Sequence, residues 1–106
     1  MFNIKELDPK DLQHKLPDLG QLIHLVDVRS PAEVAQGAIP GAVNIPLHLL
    51  PMHLSQIPDD RETIIYCRSG ARSAQACAFL KAQGKEKVFN LRGGIIAWVQ
   101  SGLAVA

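Results

Sequence analysis

The sequence predicts an α/β fold in which a small, mostly parallel sheet of about five strands is sandwiched between helices. Short apolar stretches alternate with helical patterns along the 106 residues, as in chains built from strand-helix-strand units. The stretch 22–28 is almost continuously apolar, which is typical of a strand covered on both faces. Only 5% of the residues are aromatic although 47% are hydrophobic. We therefore expect a mainly aliphatic core within one domain spanning 1–106.

The predicted elements begin with a helix over 8–16, where Asp8 can cap the first turn and Pro9 suits the first helical position. The apolar strand 22–28 follows. The remaining elements are a helix at 31–35, a strand at 42–45, one or two helices over 47–57 broken by Pro51, a strand at 63–66, a helix over 73–83 that Gly84 ends, a strand at 87–91 and a helix at 95–101.

Charge and cysteine content narrow the possible functions. The formal net charge of +1 argues against a nucleic-acid-binding protein with a broad basic surface. No apolar run has the length of a signal peptide or the ~20 residues that span a bilayer, so we expect a cytoplasmic protein without a membrane partner. The two cysteines, Cys67 and Cys77, fit neither a disulfide framework nor a metal site. Free, reduced thiols are the simpler interpretation.

A candidate active site lies where the apolar stretch 64–66 meets a loop of small residues and then an Ala-rich helix. Ligands of open α/β sheets bind beyond the carboxyl ends of the strands, and a loop entering a helix N-terminus directs free backbone N–H groups at them. Cys67 occupies the first loop position. The helix dipole and the flanking arginines are expected to lower the pKa of its thiol below the free value of ~8.5, which favours the nucleophilic thiolate.

The other loop residues suit an anion held beside that sulfur. Arg68 and Arg72 carry forked donors that fit sulfonate or phosphate oxygens, and Gly70 permits a tight turn. Small side chains keep the loop uncrowded, and we expect it to be shallow and exposed. Two alternatives stay open: Cys67 is a buried structural thiol, or Arg72 braces the loop instead of binding substrate. The small residues in question are Ser69, Ala71 and Ser73.

Two further residues are expected to serve the core. Cys77 lies in a small, apolar part of the predicted helix 73–83, and as a resolving cysteine it would have to reach back over several helical turns. Trp98 is interpreted as the anchor of the last helix. No histidine is placed by the sequence as a general base for Cys67, and a thiolate stabilised by its loop needs none.

Four segments of the chain together resemble the rhodanese family. Residues 25–33 resemble its first motif, 37–46 its second, 67–73 its active loop and 93–98 its C-terminal signature. Each segment alone is a weak signal, but their order and spacing are those of the family over essentially the whole chain. One departure is Ala38, where many members have a histidine before the Ile-Pro-Gly sequence.

The resemblance implies a sulfurtransferase that needs no metal or organic cofactor. The Cys67 thiolate would take the outer sulfur of thiosulfate or a similar small anionic donor, and the persulfide would pass it to a thiophilic acceptor, such as cyanide in an assay. Loop N–H groups would stabilise the persulfide, while Arg68, with or without Arg72, would bind the donor's sulfonate. Asp27 and Arg29 are expected to support the loop or a neighbouring segment through charged hydrogen bonds.

Two other functions remain open. A phosphatase or arsenate reductase with a related loop would have five residues between cysteine and arginine, whereas four separate Cys67 from Arg72. The shorter loop suits a single sulfur atom better than a phosphoryl group. A persulfide carrier or regulatory module that exchanges sulfur with a partner protein needs the same loop as the enzyme. Sequence alone does not separate that module from the enzyme.

Overall fold

The computed structural model describes residues 3–19 and 23–106, and it shows a five-stranded, all-parallel sheet with helices on both faces. The strands are β1 (Lys5–Leu7), β2 (Ile23–Asp27), β3 (Val43–Asn44), β4 (Glu62–Tyr66) and β5 (Val88–Leu91). Across the sheet they occur in the order β1-β5-β4-β2-β3. The predicted α/β fold class is confirmed.

The described part of the chain also has four α-helices and one 3₁₀ segment, which lie between the strands except for the last helix, which follows β5. They are α1 (Pro9–Leu19), α2 (Pro31–Ala35), the 3₁₀ segment (Leu47–Gln56), α3 (Ala71–Ala82) and α4 (Gly94–Gln100). None of these helices is both long enough and apolar enough to cross a membrane.

The hydrophobic core lies in two layers, one on each face of the sheet. Helix α3 and the 3₁₀ segment cover one face, where Ile65 of β4 is fully buried; α1 and α4 cover the other, where Ile64 is fully buried. Trp98 of α4 belongs to the second layer and is 5% exposed, which confirms it as a core anchor. Because both faces of the central strands are covered, their sequences are apolar without alternation.

The sequence prediction missed β1 and placed the other strands to within one residue at each end. Lys5 and Glu6 are exposed and only Leu7 is buried, so this edge strand lacks an apolar pattern. It is recognisable only through its pairing with β5, in which Glu6 lies opposite Asn90. Leu22, the first residue of the predicted strand 22–28, lies outside the described residues.

The segment after β3 is 3₁₀ rather than α-helical. The prediction of a break at Pro51 was wrong, because the non-helical backbone angles occur at His53. Pro51 is tolerated inside the 3₁₀ segment since the fixed φ of proline suits such short turns. Leu50 and the adjoining Ile57 are buried, so this segment closes one face of the sheet.

Parallel pairing brings the carboxyl ends of β2 and β4 to the same edge. Asp27 lies opposite Tyr66, and the Val28 N–H donates to the Tyr66 carbonyl at 3.0 Å. Val28 and Cys67, the first residues after these two strands, therefore lie side by side although they are far apart in sequence, and Arg29 follows one residue further on.

Candidate active site

Cys67 is the first residue after β4, and the chain turns from it directly into α3. Gly70 adopts φ +105° immediately before the helix, in the left-handed region that glycine enters at low cost. Helix α3 therefore begins at Ala71, two residues before the predicted start at 73, and Arg72 and Ser73 belong to its first turn. The early start places the helix N-terminus beside the cysteine.

The sulfur of Cys67 accepts hydrogen bonds from the loop that follows it. The Gly70 N–H lies 3.1 Å from Sγ, and both the backbone N–H and the hydroxyl of Ser73 lie 3.4 Å from it. The Cys67 residue is only 1% exposed, so the expectation of a shallow, exposed loop does not extend to the sulfur. The loop curls over its own sulfur, while Arg68, Ser69 and Ala71 are the exposed positions.

Burial raises the pKa of the Cys67 thiol, whereas the hydrogen bonds from Ser73 and Gly70 lower it. The hydrogen bonds together outweigh burial, so the pKa lies below its usual value. Donors that converge on one atom favour its anionic form. The site is consequently a buried pocket for a negative charge on sulfur. These features match a nucleophile more closely than an inert core thiol such as Cys77.

Asn90 of β5 forms the far wall of this pocket. Glu6, Asn90 and Ile65 lie in one row across β1, β5 and β4, and Cys67 lies two residues beyond Ile65 on the same face. The Ser73 hydroxyl is 2.5 Å from Asn90 Oδ1, and the amide nitrogen of Asn90 donates to the Glu6 carboxylate at 3.0 Å and to the Gly70 carbonyl at 3.3 Å. Ser73 and Asn90 are both almost fully buried.

The first turn of α4 packs against the loop after Cys67 and forms hydrogen bonds with its backbone. The N–H groups of Ile95 and Ile96 donate to the carbonyls of Cys67 and Arg68 at 3.0 and 3.1 Å. Gly94 has φ +61°, and a Cβ atom there would lie 2.5 Å from both of those carbonyl oxygens. This close approach requires glycine at position 94, and a Cβ at Gly93, which has φ +76°, would lie 2.6 Å from the Ala97 Cβ.

The two arginines that follow Cys67 in the sequence, Arg68 and Arg72, have different surroundings. Arg72 forms a two-pronged ion pair with Glu33 of α2, with N–O distances of 2.7 and 2.8 Å. Arg68 is exposed and lines a groove of about 590 Å³. This groove, called the Arg68 groove below, also has Arg29 and Glu33 at its charged end and Ile96, Val99 and Val105 along its apolar wall.

Arg29 and Asp27 form a buried ion pair beside the loop. The Arg29 guanidinium donates to both Asp27 oxygens at 2.8 to 3.1 Å and to the Gly37 carbonyl at 2.7 Å. The Arg29 and Asp27 side chains are 7% and 1% exposed. The pair therefore ties the end of β2 to the segment after α2, and the charge of Arg29 is neutralised within the protein.

Cys77 is fully buried among aliphatic side chains of α3 and the sheet. Desolvation raises the pKa of its thiol to about 12. It is a packing residue, as the sequence analysis expected. Within residues 3–19 and 23–106, no group of three or more histidine, cysteine or carboxylate side chains could hold a metal ion.

Comparison with known proteins identifies the family. The rhodanese-like domain family matches residues 8–101. This chain belongs to the rhodanese-like family. A sulfurtransferase from Allochromatium vinosum is 54% identical to it over 102 residues, covering 96% of this chain and 94% of that protein. A putative sulfur carrier protein from Bacillus subtilis, YrkF, is 32% identical over 96 residues, which are 91% of this chain and 51% of that protein.

Solved structures agree with this assignment. A rhodanese-related protein from Thermoplasma volcanium superposes with a TM-score of 0.86 at 28% identity, covering 96% of this chain and 97% of that one. The rhodanese-like fold is therefore shared along almost the whole length of both chains.

Two residues of this rhodanese-like site were missed by the sequence analysis. Glu33 lay within the first motif without an assigned role, although Ser30 and Glu33 have the spacing of a capping box, and the structure shows both capping hydrogen bonds. Asn90 is the one polar side chain of β5. Its signal was weak, but asparagine is unusual in a buried strand and is retained there only with hydrogen-bond partners.

Proposed function

We propose that this chain is a sulfurtransferase in which Cys67 carries a sulfane sulfur from thiosulfate, or a similar small donor, to a thiophilic acceptor. The observation that supports the proposal is the ring of donors from Gly70 and Ser73 around the Cys67 sulfur. A thiolate there is stabilised for attack, and a persulfide, which is also anionic, would be stabilised by the same donors.

In the loading step, the Cys67 thiolate attacks the outer sulfur of thiosulfate. A new S–S bond forms to Cys67, the S–S bond of thiosulfate breaks, and its electron pair leaves with sulfite. In the unloading step, cyanide attacks the terminal sulfur of the persulfide and leaves as thiocyanate, which restores the thiolate. Neither step requires a proton, an oxidant or a reductant from outside the reactants.

We assign the binding of the donor's sulfonate to Arg68. It is exposed beside the loop, whereas Arg72 is already paired with Glu33 and Arg29 with Asp27. Among the described residues no carboxylate pairs with Arg68, and such a guanidinium is the better site for a second anion. Arg72 and Glu33 are assigned the role of joining α2 to the first turn of α3, and Asp27 and Arg29 that of holding the segment beside the loop.

The experiment that tests this function measures thiocyanate formation from thiosulfate and cyanide, together with the intact mass after thiosulfate alone. We expect turnover and a gain of one sulfur atom in the wild type, and neither in Cys67→Ser. Cys77→Ser is the matched control, since it removes the other thiol and should keep both signals. Freshly reduced wild-type protein that shows no turnover and no mass gain would contradict the proposal.

A second candidate function is a carrier that receives sulfur from a partner protein. It is favoured by the apolar wall of the Arg68 groove, where Ile96, Val99 and Val105 are 37%, 51% and 43% exposed. Arg68 brings the active-site loop to this groove, and exposed apolar side chains next to such a loop are typical of a protein-binding surface.

The two candidates differ in which donor loads Cys67. We would compare loading by thiosulfate with loading by the macromolecular fraction of a cell extract freed of small molecules. A carrier would gain sulfur only from the macromolecular fraction, and Val99→Ser would slow that loading. Met52→Ser is the control, because Met52 is 72% exposed but does not line the groove.

A further inference from the structure

The Ser73 hydroxyl lies between two acceptors but has one proton to donate. Its oxygen is 2.5 Å from Asn90 Oδ1 and 3.4 Å from Cys67 Sγ. All three residues are at most 2% exposed. Because the hydroxyl carries a single proton, it can donate to only one of these two acceptors at a time.

The orientation of the Asn90 amide follows from its other contacts. Its nitrogen faces the Glu6 carboxylate at 3.0 Å and the Gly70 carbonyl at 3.3 Å, and both of those groups only accept hydrogen bonds. The amide oxygen must then face Ser73, where it needs a donor. Asn90 is thus a fixed acceptor that competes with the sulfur for the proton of Ser73.

The competition depends on the charge of the sulfur. When Cys67 is a thiol, its S–H can donate to Ser73, and Ser73 donates to Asn90 in a continuous chain. When the sulfur is anionic, the Ser73 proton is drawn to it, and Asn90 Oδ1 loses its partner. Because a buried acceptor without a donor is unfavourable, Asn90 stabilises the neutral form of the sulfur relative to the anion.

We propose that Asn90 is a positioning residue that limits the stabilisation of the anionic sulfur by withholding the Ser73 proton. The benefit is nucleophilicity, since a thiolate with a very low pKa attacks sulfur slowly. For the thiolate this inference stands on geometry alone. Its extension to the persulfide rests on the proposed function.

Several charged groups also act on this sulfur. Arg72 on α3 and Arg68 in the loop favour the anion, whereas Asp27 on β2 and Glu6 on β1 disfavour it. Arg92, 3.5 Å from Glu6, partly offsets the charge of that carboxylate. An Asn90→Leu substitution leaves these charges in the chain but removes the amide donor to Glu6 and Gly70 together with the acceptor for Ser73. The same substitution in a Ser73→Ala background therefore isolates the Ser73 hydrogen bond.

The test is the pH dependence of Cys67 alkylation by iodoacetamide, with the modified site read by peptide mass. Ser73→Ala should raise the pKa of Cys67 by about one unit, the size expected for one hydrogen bond to a charged group. Asn90→Leu should lower this pKa, and its plateau rate constant at high pH should fall about threefold for each unit of lowering. In the Ser73→Ala background, Asn90→Leu should leave the pKa unchanged.

The direction in which Asn90→Leu shifts the pKa of Cys67 distinguishes the proposed role of Asn90 from a purely structural role in holding the loop. Asn90 also holds the Gly70 carbonyl, and a loosened Gly70 would donate less well to the sulfur and raise the pKa. A raised or unchanged pKa in Asn90→Leu, or an equal shift in both backgrounds, would overturn the proposal. Thiocyanate turnover that is absent in the wild type would count against the proposed function without affecting this result.

A second measurement leaves Asn90 in place and so avoids any loss of folding caused by Asn90→Leu. The side-chain amide signals of Asn90 in a proton–nitrogen NMR spectrum should shift as Cys67 titrates. In Ser73→Ala that shift should disappear, although the sulfur still changes its charge. A shift of the same size in both proteins would show that Asn90 senses the charge through space, and the proposal would be wrong.

Discussion

Arg68 lies in the loop after Cys67 and Arg72 in the first turn of α3, yet of the two only Arg72 has a carboxylate partner in the described structure. On the proposed function, Arg68→Ala should raise the KM for thiosulfate about tenfold, since a charge-assisted hydrogen bond is worth at least about 1.5 kcal/mol. Arg61→Ala, an exposed arginine before β4, is the matched control and should leave KM unchanged. Steady-state kinetics at constant ionic strength would measure both, and equal effects would refute a local role for Arg68.

Glu33 combines two functions that one substitution can separate. It caps α2 through Ser30 and pairs with Arg72, and this pairing is the main reason that its pKa falls to about 2. Glutamine retains the capping geometry but loses the ion pair. Because the pKa of Glu33 is lower in the folded state, the ion pair stabilises the protein fully at pH values above the ordinary pKa of 4.5. This stabilisation is lost as the pH falls towards the folded-state pKa of about 2.

We therefore expect Glu33→Gln to lower the free energy of unfolding by at most about 1 kcal/mol at pH 7, since the pair is partly exposed. The difference from the wild type should shrink as the pH falls from 4.5 towards 2. Urea unfolding across this range measures it. A constant difference at all pH values would mean that the ion pair contributes nothing and that only packing was changed.

At the scale of elements, the close contact between α4 and the cysteine loop depends on the absence of a side chain at Gly94. Gly94→Ala would place a Cβ 2.5 Å from the carbonyl oxygens of Cys67 and Arg68. We expect a loss of roughly 3 kcal/mol, from the left-handed backbone and the clash together. Gly102→Ala is the control, because Gly102 has φ +83° but open space around it, and it should cost only about 1 kcal/mol.

The readout is thermal unfolding together with the reactivity of Cys67. Gly94→Ala should also slow alkylation of the cysteine at pH 7, because the displaced loop no longer directs its N–H groups at the sulfur. Gly102→Ala should not. If both variants lost the same stability and kept the same reactivity, the close approach at Gly94 would have no bearing on the loop.

At the scale of the whole molecule, the single tyrosine reports on folding. Tyr66 is fully buried, and its hydroxyl accepts from the Ile39 N–H at 3.0 Å. Burial, and then the neighbouring Asp27 carboxylate, raise its pKa above the ordinary value of 10.0. A group whose pKa is raised by folding contributes stability below its unfolded pKa and loses that contribution at higher pH.

Stability should therefore fall as the pH rises above 10.0, and tyrosinate absorbance should appear together with unfolding. Tyr66→Phe should remove this part of the pH dependence. It should also lower stability at pH 7 by about 1–3 kcal/mol, because the Ile39 N–H loses its acceptor. Ionisation of Tyr66 at pH 10 in protein with native circular dichroism would contradict this interpretation.

The sequence predicted the features that local pattern determines. The apolar strands, the loop beginning at Cys67 and the fold class required only hydrophobic runs and turn residues. The edge strand β1 was not predicted, because two of its three residues face solvent and leave no apolar pattern. The contact between Arg72 and Glu33 joins residues 39 positions apart, and that between Asn90 and Ser73 spans 17. Such pairings arise from strand order, which a single sequence does not display.

Cys77 gives the chain a property that its buried position alone does not suggest. With its pKa raised to about 12, it stays protonated at neutral pH and is a poor nucleophile. A persulfide on Cys67 would therefore have no internal thiol to discharge it as a disulfide. The lifetime of the persulfide would be set by the supply of external acceptors. The chain would then store sulfur until an acceptor in its surroundings removes it.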